Sequence, residues 1–165
     1  MSNDDHWLDL GLDKLPAPQA QRIRLLRVVL ATAAVLRGRL DRALAPAGIT
    51  SQQAAMLQLI EAQPSAPTIT FVAQAMGMTQ QNVKQIALSL EKKGFLEIAV
   101  DPADRRARRL QLTEHHHRFW KQRNPSDFSS VEEWTAGLSD AEIATALHLL
   151  TQLKAGAKNA RPTQT

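Results

Sequence analysis

The chain has no cysteine and no tyrosine, and aromatic residues make up only 4% of it. Without cysteine there is no disulfide, no thiol nucleophile, no thiolate metal site and no cysteine redox switch. No stretch approaches the roughly 18 uncharged apolar residues of a membrane span, and the acidic opening MSNDDHW lacks the basic flank of a secretion signal. Both features predict a cytoplasmic chain with no membrane partner. A Gly-rich phosphate loop, a nucleophile elbow, H-E-x-x-H and a carboxylate pair set in an apolar cleft pattern are all missing, so the sequence predicts no enzyme. It contains neither an internal repeat nor a low-complexity tract. What remains is 165 residues, 44% hydrophobic and 22% charged. That is enough for one ordinary domain, or for one compact core carrying extended helical arms.

Twenty Lys and Arg against 16 Asp and Glu leave a net charge of +4. So small an excess argues for a polyanionic partner only where it is clustered. Between Arg105 and Arg123 it is: Arg105, Arg106, Arg108, Arg109, Arg118, Lys121 and Arg123 face one acid, Glu114. From Ser126 to Glu142 the sign reverses, with five acids and no Lys or Arg. On charge alone, two solvated faces of opposite sign account for this equally well.

Residues 1–18 hold scattered apolar side chains with no sustained helical period and read as an arm. From Gln19 to Leu44, Ile23, Leu26, Leu30, Ala33, Ala34, Leu40 and Leu44 recur at three- and four-residue steps, which predicts a long amphipathic helix stopped by Pro46 and Gly48. Thr50 and Gln53 form a capping box for a second helix that stops at Pro64. A short helix follows over Thr68 to Met76, then a break at Gly77 and a helix capped by Thr79 and closed by Gly94. Leu96, Ile98 and Val100 alternate with Glu97 and Ala99, and Leu110 and Leu112 with Arg109 and Gln111. The turn chemistry of Asp101-Pro102-Ala103-Asp104 joins these two strands into a hairpin with an arginine-rich tip. Thr113 starts another helix, which the spacing predicts to be interrupted at Asn124-Pro125-Ser126, with Ser129 or Ser130 capping a short segment around Trp134. Ser139 and Glu142 open a final helix whose stripe is Ile143, Leu147, Leu150 and Leu153. Beyond Lys158 the tail is polar.

Ile69 to Ile86 has the spacing of a helix-turn-helix. Val72, Met76, Met78, Val83 and Ile86 are its apolar positions, Ala73 is small where two helices cross, and Gly77 sits where the turn needs a left-handed residue. Two ordinary helices around a Gly turn fit the same spacing. The outer face of the second helix favours a DNA reader. Gln80, Gln81, Lys84 and Gln85 form one polar patch near its N-terminus, of residue types that reach base edges and phosphates in a major groove. An arginine loop on a stiff hairpin likewise suits a narrow, electronegative minor groove, although a solvated hairpin tip has the same composition.

With these pieces in order, the chain resembles the winged helices of the MarR family of bacterial transcription regulators over roughly Gln19 to Lys154. Leu90 to Glu97 (LEKKGFLE) is similar to the family's end of the recognition helix, and Asp101 to Thr113 (DPADRRARRLQLT) to its wing signature. Thr50 to Gln53 (TSQQ) matches its second-helix start, and Gly137 to Glu142 (GLSDAE) its C-terminal dimerisation helix. The resemblance implies a mainly α (α+β) winged helix-turn-helix with a two-stranded β-hairpin wing and N- and C-terminal dimerisation helices. Its parts are an arm over 1–18, a dimerisation helix over 19–48, a DNA-binding lobe over 49–113, further dimerisation helices over 114–158 and a flexible tail over 159–165. It implies that Arg106 enters the minor groove with its guanidinium held by Asp104, that Arg105 lies near phosphate, and that Gln80, Gln81 and Lys84 face the major groove beside the capping Thr79. The implied function is that of a homodimeric regulator on an inverted-repeat operator in double-stranded DNA. It would be a repressor without cofactor, released by a small aromatic or amphipathic anion bound where the dimer arms meet the DNA-binding lobes. A winged-helix adaptor for protein partners is the rival reading, favoured if duplex DNA of any sequence fails to bind at low salt.

The chain departs from the family pattern in two places. His115-His116-His117 replaces the glycine that commonly follows the wing, and Asn124-Pro125 falls within the long dimerisation helix. Consecutive helical side chains diverge by about 100°, whereas a chelating pair needs a spacing of three or four. The triplet therefore cannot wrap one ion by itself, and Glu114 is the only acid near it in sequence. These histidines are predicted to be solvated or bonded to backbone, and Met56, Met76 and Met78 to be core.

Overall fold

The computed structural model describes residues 3–160. The described chain divides into two compact units, one ending at His116 and one beginning at His117. The first contains helices α1 (Ala17–Leu44), α2 (Ser51–Glu61), α3 (Ile69–Met76) and α4 (Gln80–Lys92), then strands β1 (Leu96–Val100) and β2 (Arg108–Leu112). Helix α5 (Glu114–Thr135) starts at its end, continues into the second unit and is followed there by α6 (Asp140–Asn159).

Local chemistry sets most of these boundaries. Thr50 and Gln53 make the reciprocal capping box of α2, and the Gln53 side chain does more than cap. Buried at the base of the lobe, it accepts from Lys93 Nζ at 3.0 Å and donates to Ser89 Oγ at 3.1 Å, so α2 and the end of α4 are joined by a satisfied polar contact. Thr68 and Thr79 cap α3 and α4 through their hydroxyls. Between those helices Gly77 has φ 66°, a left-handed conformation that side chains disfavour, and this is what lets α3 stop and α4 set off within three residues. Asp41 of α1 accepts the Ser51 N–H at 2.6 Å, which fixes the joint between α1 and α2.

The core of the first unit is formed by Met56, Leu57 and Ile60 of α2, Val72 and Ala73 of α3, Val83, Ala87 and Leu90 of α4, and Phe95, Leu96 and Leu110 around the hairpin. Each large side chain buried here contributes roughly 1.5–3 kcal/mol. Met56 is fully buried as the pattern predicts, but Met76 and Met78 are only half-buried. The strands pair antiparallel, Leu96 with Leu112 and Val100 with Arg108. A bridge from Thr68 to Arg109 extends the ladder on the outer edge of β2.

Several expectations need correction. The arm ahead of α1 is more ordered than its lack of a helical period suggests: 3-10 turns cover Asn3–Leu8 and Leu12–Lys14, burying Leu8 and Leu12. Arg27 of α1 holds this segment by donating to Leu8 O and Leu10 O, both at 3.0 Å, and Arg24 pairs with Asp9 at 2.8 Å. Helix α1 starts at Ala17, two residues early, because proline is tolerated in a first turn where its missing N–H has no partner to lose.

Asn124-Pro125 does not interrupt α5, which is continuous through Thr135. An interior proline costs about 3 kcal/mol but removes only one donor. Side chains bridge the turns around it: Ser126 Oγ donates to Arg123 O at 2.8 Å, and Arg123 pairs with Asp127 at 2.9 Å across the proline. Ser129 and Ser130 are consequently interior to α5 and cap no new helix; the Ser130 hydroxyl donates to Ser126 O. In the second unit Ser139 and Glu142 form the capping box of α6. The predicted tail begins inside that helix, at Asn159, and its residues 161–165 lie outside the described chain.

Candidate nucleic-acid interface

Helix α4 is amphipathic in the strict sense. Val83, Ala87 and Leu90 point into the core, while Gln80, Gln81, Lys84 and Gln85 are exposed. Thr79 Oγ1 accepts the Asn82 N–H at 3.2 Å, so the capping threonine also stands at the exposed start of the helix. The hairpin projects beside it. Gln80, Gln81 and Lys84 from α4, Thr68 and Thr70 from the start of α3, and Arg106 and Arg108 from the wing line one open cleft of about 550 Å³. Ile69, Leu88, Ile98 and Ala107 add apolar surface to the lining, and Glu91 adds one acid. Of the eight residues singled out from the sequence, the fold therefore brings Gln80, Gln81, Lys84 and Arg106 together. Thr79, Gln85, Asp104 and Arg105 are exposed on the same elements but outside the cleft lining.

The wing turn differs from the arrangement that the resemblance implies. Asp104 Oδ1 accepts the backbone N–H of Arg106 at 2.9 Å, so it shapes the loop through the main chain. The guanidinium–carboxylate pair of the wing is Arg109 with Asp101, Nε to Oδ2 at 2.5 Å. Asp101 is buried, and its Oδ1 accepts the N–H of Ala103 at 2.7 Å and of Asp104 at 3.2 Å. The Ala103 N–H first, then the Asp104 N–H and Arg109, hold this carboxyl below the usual carboxylate range against the opposing effect of burial. Arg109 also donates to Ala66 O at 2.7 Å. Arg108 folds back onto Arg105 O and Ala107 O. The wing arginines are therefore not equivalent: Arg105, Arg106 and Arg108 are exposed, and Arg109 is half-buried and engaged.

Asp101 and Arg109 were absent from the sequence-derived site, although a signal was present. Ala99 pairs with Arg109, and Asp101 is two residues beyond Ala99 on the same face, a diagonal cross-strand neighbour. The histidine triplet also departs from expectation. His115 packs its ring on Phe95 at 4.7 Å, and His116 has no exposed surface and lies 3.5 Å from Glu61 Oε2. Glu61 is 55 positions away in sequence, out of reach of any local pattern.

The family model that matches, described as the MarR family, covers residues 47–107. Those residues contain the α2–α3–α4 core, β1 and the wing turn. Over these residues the lobe is similar to the MarR family. The MarR match stops within the hairpin, so β2 and the helices on either side of the lobe stand outside it. The transcriptional repressor MprA of Escherichia coli K12 is 35% identical over 68 residues, which is 41% of this chain and 39% of MprA. The chain thus matches about two fifths of the length of its curated relatives. Among solved structures, MepR of S. aureus, determined in complex with DNA, has a TM-score of 0.73 at 19% identity, over 81% of this chain and 97% of that one. CouR of Rhodococcus jostii RHA1, determined with p-coumaroyl-CoA bound, has a TM-score of 0.66 at 19% identity, over 83% and 93%. At such identities the shared property is the MarR fold.

Proposed function

We propose that this chain is a non-enzymatic, sequence-specific DNA-binding transcription regulator, a repressor that acts as a homodimer on an inverted repeat. The observation that carries the proposal is the shared cleft: amide and ammonium side chains of one helix face and an exposed arginine of the wing open onto the same side of the lobe. Gln and Lys supply donors for base edges and phosphates, and an arginine at a hairpin tip suits a narrow minor groove. MepR, of the same fold, was captured on DNA, and MprA is a repressor. No helix among the described residues is long and apolar enough to cross a membrane, so the apolar faces left exposed suit a protein partner better. Leu25, Leu26 and Leu30 of α1 and Leu147, Leu149 and Leu150 of α6 are exposed in the single chain, and a second copy would cover them.

Selection of bound sequences from random duplexes tests this reading. The expected product is an inverted repeat with half-sites about one helical turn apart, recurring beside the protein's own gene. If no duplex binds even at low salt, the adaptor reading replaces it.

Control by a small aromatic or amphipathic anion is the second part of the proposal, supported by the aromatic thioester bound to CouR. Such a ligand, binding the DNA-incompetent arrangement better, should weaken operator affinity about 5- to 150-fold. Aromatic carboxylates and acyl-CoA thioesters should release operator DNA, with Trp120 and Trp134 of α5 as fluorescent reporters. An unchanged affinity across such a panel would leave a constitutive regulator.

A further inference from the structure

We infer that Arg109 is the positioning residue of the wing, acting through Asp101 and the α2–α3 loop rather than by touching DNA; the inference rests on the DNA-binding reading for its consequence but not for its geometry. Composition alone places Arg109 with the other wing arginines as positive charge offered to a polyanion. The structure gives it another task. Nε donates to Asp101 Oδ2, and Nη1 donates to Ala66 O at 2.7 Å. Asp101 is only 4% exposed, and its second oxygen accepts the Ala103 and Asp104 N–H groups that form the turn. One side chain on β2 therefore ties the wing turn to the loop between α2 and α3. Backbone contacts continue the seam, with Leu110 N–H donating to Pro67 O at 2.9 Å.

The other strand is held separately. Ile98 N–H, on the edge of β1 that has no strand beside it, donates to Glu91 Oε1 of α4 at 2.8 Å. The hairpin is thus attached along one edge to the DNA-facing helix and along the other to the lobe. Two strands alone are marginally stable in water. A wing tip that must be ordered at the moment of binding loses affinity to that ordering, and a clamp built into the free protein removes the loss. With its charge matched by a buried carboxylate and two donors engaged, Arg109 is poorly placed to neutralise a phosphate as well.

Two measurements on the full chain test this, with Arg109→Gln and Asp101→Asn as separate variants so that a folding defect in one does not decide the matter. The first is amide hydrogen exchange without DNA. Both variants should accelerate exchange at Ala103, Ala107 and Leu110 while leaving amides of α2 and α4 unchanged. Unaltered protection in the wing would overturn the inference, as would a uniform loss across the lobe. The second is affinity for the selected duplex. Each variant should lose about tenfold, within the usual range for coupled contacts, and should lose nothing further on an Arg105→Ala/Arg106→Ala/Arg108→Ala background, where the wing has no exposed arginine left to present. An equal loss on both backgrounds would mean that Arg109 contacts DNA directly, and the inference fails. If the wild-type chain binds no duplex, the DNA reading falls, and the exchange measurement still decides whether Arg109 orders the wing.

Discussion

Helices α4 and α6 are both opened by a hydroxyl N-cap, yet they end in opposite states. Within 13 residues α4 buries Val83, Ala87 and Leu90 and leaves glutamines and a lysine outside. Across 20 residues α6 buries nothing, and Leu147 and Leu150 remain 63% and 47% exposed. The first helix finds its hydrophobic partner within its own unit, so its outward face is free to carry recognition chemistry. The second has an apolar stripe with no cover of its own, which is the signature of a surface completed by another protein. Both have a hydroxyl cap and an apolar stripe, and the difference lies in what the rest of the chain supplies.

Charging the α6 stripe should produce the largest effect. Leu147→Asp or Leu150→Asp should yield an 18.2 kDa monomer by sedimentation, or an insoluble chain, where the wild type should sediment as a dimer at micromolar concentration. A dimer that survives both substitutions would remove α6 from the interface. In α4 the corresponding substitution acts on folding instead. Leu90→Ala should lower the stability of the lobe by about 2–5 kcal/mol in denaturant titrations. Arg106→Ala should do neither. It should weaken operator binding by about 1–3 kcal/mol and reduce the salt slope by about one, with the unfolding midpoint unchanged.

Acid should have the smallest effect near neutrality. Asp41, Asp101 and Glu142 all have carboxyl pKa values lowered in the folded chain, chiefly by hydrogen bonds from Ser51, Ala103 and Ser139 respectively. A carboxyl whose folded pKa is depressed contributes stability that is present above its unfolded value of about 3.9 to 4.3 and is lost as pH falls through the folded value. Titration of these three groups should therefore leave stability level between pH 5 and 8, with wing and helix-start protection falling only below about pH 4. Loss of wing protection already at pH 6 would point to another group.

Much of this architecture was legible because its determinants are local. The Thr50–Gln53 and Ser139–Glu142 boxes, the Thr79 cap, Gly77 and the alternation of Leu96 to Val100 are each decided within a few residues, and each is present. Where the sequence misled, the decisive contact was not local or ran against a propensity. Pro125 is carried by a helix that also contains the Ser126–Arg123 and Arg123–Asp127 contacts, and no propensity argument weighs those. His116 is buried beside a glutamate from another helix. Within the candidate interface, residue types picked out the exposed face of α4, but they could not separate Arg106 from Arg109. That separation depends on which arginine finds a buried carboxylate.

The claim that one lobe reads DNA through α4 and the wing together is tested most directly by comparing affinities at physiological salt. The selected inverted repeat would be measured against a shuffled duplex of the same length, for the wild type and for a Gln81→Ala/Arg106→Ala variant. The account predicts at least about a thousandfold preference of the wild type for its site, most of it lost in the variant. Equal binding of both duplexes by the wild type would contradict it.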